Sequence, residues 1–289
     1  MIAPGFVGVE AQLWIWIMAM IRPGAALMAA PVFGATSVPL QVRIILSAMI
    51  GIAATNSATI NLPDATLVSY TGFLFIIGEI VCGVAIGFAL QIGYSAAFVA
   101  GELISNAMGL GFASMADPQS GQSSPVIGSF LSIIAVLLLL AIDGHLMLIA
   151  IIVRSYEALP PGDAMLPPRL IMDLVEFGAM LFSMGLVIAL PVGAALIIVQ
   201  LVMAMLARSA PQLNLFSVGI PVAVLAGIVL LAIAAPVLAD GVMRAMETGL
   251  EQSEVMAGEG GRDGRRPFRW WRKNRTPYRE AAQGVARKG

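Results

Sequence analysis

The chain has 289 residues, of which 59% are hydrophobic and only 11% charged, and its formal net charge is −1. A soluble domain carries roughly a quarter of its residues as charges, so this composition excludes an ordinary soluble protein and points to a polytopic membrane protein. The small net charge hides an asymmetry: residues 1–250 hold six Arg and no Lys against twelve acids, whereas residues 251–289 hold ten basic side chains against five acids.

Six apolar runs fill most of residues 13–238: Leu13–Val32, Ile44–Ala54, Leu67–Leu90, Ile127–Val153, Leu174–Leu206 and Leu215–Leu238. A helix needs about 20 apolar residues to cross a bilayer. Five runs reach that length; the second comes close only when Val38–Ala54 is counted whole. The length suits one all-α bundle of about six long, kinked helices and a tail, with no second folded domain.

In the first run Trp14 and Trp16 suit an interfacial belt. No basic n-region precedes Leu13, so a retained helix is expected rather than a cleaved signal. Arg22-Pro23-Gly24 interrupts the run, Ala29-Ala30-Pro31 interrupts it again, and Pro31–Pro39 reads as a turn. Arg43 stands near the start of the second helix, and Asn56–Asp64 is a polar loop. In the third run Gly83-x-x-x-Gly87 puts two small residues on one face, which permits a close helix contact. Ordinary bundle packing is a better reading of that pair than ligand binding.

Ala96–Met108 is helix-like and rich in small residues. The loop Gly109–Pro125 follows, uncharged but for Asp117 and holding Ser114, Ser120, Ser123 and Ser124. It is too long for a plain connector. If it lies at membrane depth, its backbone must be enclosed by protein or line a cavity. Asp143-Gly144-His145 interrupts the fourth run, and Ala158–Pro168 is a proline-rich loop. Pro191 should kink or break the fifth run, because it removes a helix hydrogen bond. Ala207–Asn214 is a short polar turn and the last run ends near Asp240, so runs five and six form a tight helical hairpin.

Catalytic sets are missing. There is no Walker A loop, no G-x-S-x-G elbow and no H-E-x-x-H helix. Cys82 and His145 are the only residues of their types, which rules out an intramolecular disulfide, a Cys-based zinc site and a His-rich metal or haem site within one chain. Asp143 is two residues from His145, a spacing at which side chains on a helix do not face each other. No enzyme activity, cofactor or metal is expected.

The ionisable residues in or beside apolar runs are Arg22, Arg43, Glu79, Glu102 and Asp143. A charge in hydrocarbon costs roughly 2.5–3.5 kcal/mol on insertion scales. Pairing with another helix, in this or another subunit, explains scattered charges better than an ion path does. A third reading keeps these segments out of the membrane altogether. Arg22 or Arg43 with Glu79 or Glu102 are the candidate pairs. Met108 and Met115 flank and enter the polar loop; the other methionines read as core. The tail Arg262–Arg279 interleaves Arg with Phe268, Trp270 and Trp271. That composition suits anionic lipid headgroups better than nucleic acid; a solvated, disordered tail weighs equally. Gly258–Gly264 reads as a flexible linker.

Several segments together resemble the FliR family, an export-gate component of bacterial flagellar type III secretion. They are Arg22-Pro23, Ala30–Gly34, Val38-Pro39 with Arg43, Gly78-Glu79 with Gly83 and Gly87-Phe88, and Ala100-Gly101-Glu102. Further along come Gly109-Leu110 with Asp117-Pro118, Gly144-His145, Ser155 with Leu159-Pro160, Arg208 with Ala210–Phe216, and Gly219-Ile220-Pro221. Their order and spread over residues 22–221 make the match specific.

The resemblance implies a FliP-like part over about 1–170 and a FliQ-like hairpin over about 171–250; composition alone reads 251–289 as a basic, disordered tail. It implies assembly with FliP-like and FliQ-like subunits in the bacterial inner membrane, at the flagellar basal body. FlhB-like and FlhA-like components, unfolded export substrates and membrane lipids are the other implied partners; no nucleic acid is. The family's plug loop maps to Gly109, Leu110, Gly111, Phe112, Ser114, Met115, Asp117, Pro118 and Gly121. From the residues themselves, Arg22, Arg43, Glu79 and Glu102 are candidate buried polar positions that need partners on assembly, and Arg208, Pro211, Gln212 and Asn214 belong to the hairpin turn. Virulence-secretion relatives share much of the pattern. An independent secondary transporter or channel is the remaining alternative. The resemblance does not extend to residues 255–289.

Overall fold

The computed structural model describes residues 7–57, 70–110, 125–161, 167–209 and 219–258. Among the described residues all regular structure is helical: α1 Val7–Ala19, α2 Ile21–Ala29, α3 Leu40–Ser57, α4 Tyr70–Ala107, α5 Val126–Ala141, α6 Gly144–Ala158, α7 Pro168–Ser209 and α8 Ile220–Met256. An all-α membrane bundle is therefore the fold. Three helices, α4, α7 and α8, are long and apolar enough to cross a membrane.

The division into helices differs from the six apolar runs in four ways. The first run does break, but at Met20 rather than at Arg22-Pro23, and Pro23 lies inside the first turn of α2. Proline is tolerated there because the first N–H groups of a helix have no intrahelical partner. The fourth run splits into α5 and α6, bent by 65°. The hinge is Asp143, whose backbone is left-handed with φ 56°; a short polar side chain tolerates that conformation better than most. The fifth run does not break at Pro191, which lies within the 42-residue α7. The sixth run does not stop near Asp240: α8 continues to Met256 and also contains Pro236. The segment read as the start of the tail, 251–256, is thus its last turns.

The core is organised around α4, which packs against α2, α5, α7 and α8. Small residues make each approach possible. A Cβ added at Gly83 or Gly87 would collide with the backbone of α2, at Arg22 and Ala26 respectively. Gly93 stands equally close to the Ala245 carbonyl of α8, and Gly101 to Gly128 of α5. Gly185 of α7 meets Val99 in the same way. The Gly83-x-x-x-Gly87 spacing is therefore the α2–α4 contact, an ordinary packing role. Ala85, Ile86, Ala89, Leu90, Ala96, Ala97, Ala100 and Ile104 fill the space along the same helix.

Candidate functional site

A buried charge cluster lies where α2, α4 and α6 meet. Arg22 is fully buried and Glu79 nearly so, at 0% and 1% side-chain exposure. Arg22 Nε donates to Glu79 Oε2 at 2.8 Å, and Nη2 donates to Oε1 at 3.0 Å, a bidentate pair. Nη1 donates to Ser155 Oγ at 3.0 Å, and Nη2 also donates to the Leu159 carbonyl at 2.9 Å. Four of the five guanidinium N–H donors are thereby used. The guanidinium carbon also lies 4.2 Å from the centre of the Tyr156 ring, within cation–π range. Ser155 Oγ in turn donates a hydrogen bond to Ile152 O at 2.6 Å.

Tyr156 completes the junction for a reason written in the sequence. In a continuous helix the carbonyl of Ala19 would accept from residue 23, but Pro23 has no N–H. Tyr156 Oη instead donates to Ala19 O at 2.7 Å. A side chain of α6 thus satisfies the carbonyl that the proline leaves open, where α1 ends and α2 begins. An unsatisfied buried carbonyl would cost on the order of 1–3 kcal/mol.

Of the four candidate pairings, Arg22–Glu79 is the ion pair formed, within one chain. Arg43 and Glu102 are not brought together. Arg43 is half-buried, donates through Nη2 to Ala35 O, and has a buried Nε with no acceptor. Glu102 is half-buried on α4, with Oε1 facing Gly128 in the first turn of α5 and no hydrogen-bond donor. A helix N-terminus favours a carboxylate there. His145 is the second residue of α6, with Nδ1 buried and unpartnered.

Of the loop positions, Gly109 and Leu110 are described: Gly109 has φ 79°, and the Leu110 N–H donates to Ser105 O at 3.1 Å. This ends α4 with a left-handed glycine. Gly111, Phe112, Ser114, Met115, Asp117, Pro118 and Gly121 lie outside the described residues, as do Pro211, Gln212 and Asn214. Arg208 is exposed in the last turn of α7.

The interhelix bonds of the cluster hold α2, α4 and α6 together. Residues 13–249, which contain the whole charge cluster, match the family described as bacterial export proteins, family 1. The chain belongs to the FliR family of bacterial export proteins. The flagellar biosynthetic protein FliR of Escherichia coli (strain K12) is 34% identical over 228 residues, 79% of this chain and 86% of the relative. The FliR protein of Pectobacterium carotovorum is 34% identical over 218 residues, covering 75% and 83%. That of Bacillus subtilis (strain 168) is 29% identical over 227 residues, covering 77% and 86%. The family match covers α4 and α7 and α8 as far as Gly249, ending before Ser253, whose hydroxyl lies 2.9 Å from both Ile86 O and Gly249 O.

Proposed function

We propose that this membrane-embedded FliR-family chain is a subunit of the flagellar protein export gate and forms part of the wall of its conduit. One observation carries the proposal beyond family membership. Exposed large apolar side chains run along α7 from Ile171 to Leu206. At 1.5 Å per residue this strip is about 53 Å long. The hydrocarbon core of a bilayer is about 30 Å thick. Lipid covers an upright strip only in part, and the remainder needs apolar protein.

FliP-like and FliQ-like helices are the coverings this reading assigns, with FlhB-like and FlhA-like components beside them. The complex sits in the inner membrane at the flagellar base. The chain's part in it is structural: it positions helices and catalyses nothing. The loop 109–125 is assigned as the movable plug of the closed conduit, a role suited to small side chains that bury little apolar area.

The test is expression of the chain alone and together with FliP-like and FliQ-like proteins, followed by extraction and measurement of particle mass. A large hetero-oligomer, with poor yield of the lone chain, is the expected result. A well-behaved lone monomer that ignores both partners would sink the reading. Complementation of a flagellar mutant for motility separates flagellar from virulence export.

A further inference from the structure

We propose that one face of α4, from Gln91 to Asn106, is the hydrated surface that this chain turns to the conduit, past which an unfolded polypeptide moves. Between residues 91 and 108 the polar side chains are Gln91, Tyr94, Ser95, Glu102, Ser105 and Asn106, and none of them is buried. At about 100° per residue all six fall within a wedge of roughly 120°, with Phe98 near its middle. The stripe is roughly 22 Å long. The other faces of this stretch hold the core: Ile92, Ala96, Ala97, Ala100, Ile104 and Met108 are buried.

Below Gln91 the same face changes character. Phe73, Ile77, Ile80, Val84 and Phe88 continue the wedge toward the start of α4, and all are exposed and apolar. The flanking helices are apolar as well. Phe98 and Glu102 stand against Gly128 of α5, and Val99 stands against Gly185 of α7, so the stripe lies between those two helices. Large exposed side chains beside it are Phe130, Ile133 and Leu137 on α5, and Ile197 and Leu201 on α7. A polar strip framed by apolar surface needs a different neighbour from its frame.

Water is that neighbour. Polar side chains of a membrane protein face the bundle interior or a water-filled cavity, and these six do not lie in the interior. Glu102 Oε1 has no donor among the described residues. At the lower end of the stripe, Gln91 and Tyr94 line a cavity of about 600 Å³ together with Ser37, Val38 and Val136, polar enough and roomy enough to hold water. At the upper end, Asn106 stands next to the last residue of α4. A polar helix of a neighbouring subunit is the competing occupant. Water is favoured because Gln91, Tyr94, Ser95, Glu102 and Ser105 are only half-exposed, recessed between α5 and α7. A helix laid there would rest on the apolar ridges and leave the floor unbonded. Glu102 alone carries a charge. A neutral group exchanges a bond to water for one to a passing peptide group at little net gain, so the surface wets an unfolded chain without holding it. The passenger, though not the water, rests on the conduit reading.

The experiment reads thiol accessibility in the full chain, in membrane fragments open on both faces. Ser95→Cys, Ser105→Cys and Asn106→Cys are treated with a permanently charged methanethiosulfonate. Val84→Cys lies on the same face below the stripe. Ile197→Cys is matched in depth, since Gln200, one turn on, donates to Ala107 O. The unmodified chain is the blank for buried Cys82. Apolar surroundings raise a thiol's pKa, and each unit lowers the reactive thiolate about tenfold, so the stripe should label at least about tenfold faster than both controls. Equal rates, or a stripe that stays unlabelled, would overturn the proposal and make the face a sealed contact between subunits. Export measured after labelling Ser105→Cys with a bulky maleimide should fall several-fold against the unmodified chain treated alike. Full export with complete labelling would overturn the passage of polypeptide along this face. The two readings fail separately. Labelling decides the stripe even where the chain proves a lone monomer, and an assembled, exporting complex with an unlabelled stripe leaves the gate subunit standing.

Discussion

Arg22 and Glu79 are 57 positions apart in sequence, and the Nε–Oε2 bond between them is 2.8 Å long. Neither side chain reaches solvent. The pair joins α2 to α4, and Ser155 and Leu159 extend the junction to α6. Removing two charges from water costs several kcal/mol each, and the bidentate geometry together with two further acceptors is what offsets that cost.

Breaking the pair one side at a time should therefore be worse than removing both. Glu79→Ala leaves Arg22 buried and unpaired, at a cost of about 3–5 kcal/mol. The double change Arg22→Met with Glu79→Leu should recover much of that loss. Thermal unfolding of the detergent-extracted complex measures both. Equal loss in the single and double variants would show that the charges act elsewhere.

Tyr156→Phe keeps the ring beneath Arg22 and deletes the donor to Ala19 O. The expected loss is about 1–3 kcal/mol, that of a buried carbonyl left without a donor. Pro23→Ala, which restores a backbone N–H for the same carbonyl, should reduce the penalty when combined with Tyr156→Phe. The check is a double-mutant cycle on thermal stability, read for coupling between positions 23 and 156. Additive effects would separate the proline from the tyrosine.

The glycines of α4 should differ sharply from a glycine with room around it. Gly87→Val pushes a side chain into the Ala26 carbonyl of α2 and should cost several kcal/mol and most of the assembled complex. A Cβ added at Gly178 meets nothing within 4 Å. Gly178→Ala should accordingly be neutral or stabilise by about 0.5–1 kcal/mol, since alanine is the better helix former. Yield of assembled complex after extraction ranks the two.

Deleting part of Ser114–Ser124 should leave the complex assembled and make cells leak ions or small dyes. The measurement is permeability alongside quantification of intact complex. Unchanged permeability with full assembly would remove the plug assignment.

The apolar runs alone revealed the helical bundle, because a long uninterrupted stretch satisfies its backbone only as a helix in lipid. They could not reveal which arginine meets which glutamate. That choice depends on α2 seating on Gly83 and Gly87, a tertiary event. Tyr156 carries no signal of its own in the hydropathy pattern, although a Ser-Tyr pair just past the end of an apolar run, together with a proline that strips a donor, is a usable one. The end of α8 was misplaced at Asp240 because hydropathy falls there. Periodicity does not fall: Gly241, Val242, Ala245, Met246, Gly249, Leu250, Ser253 and Met256 are all buried, a stripe of helical spacing.

The corner at Asp143 bears on the sidedness of everything after it. The two arms that meet there have 16 and 15 residues, rising about 24 and 22 Å, so neither spans a hydrocarbon core of about 30 Å by itself. Read from hydropathy, the same stretch counts as one traverse. Bent by 65°, it counts as a traverse only if both arms share the path; if the chain turns back, it counts as none. The two counts differ by one, and a difference of one exchanges the compartments of both ends of the hairpin and of the basic tail. The orientation of the C-terminal third of the molecule thus turns on which path the chain takes at this corner.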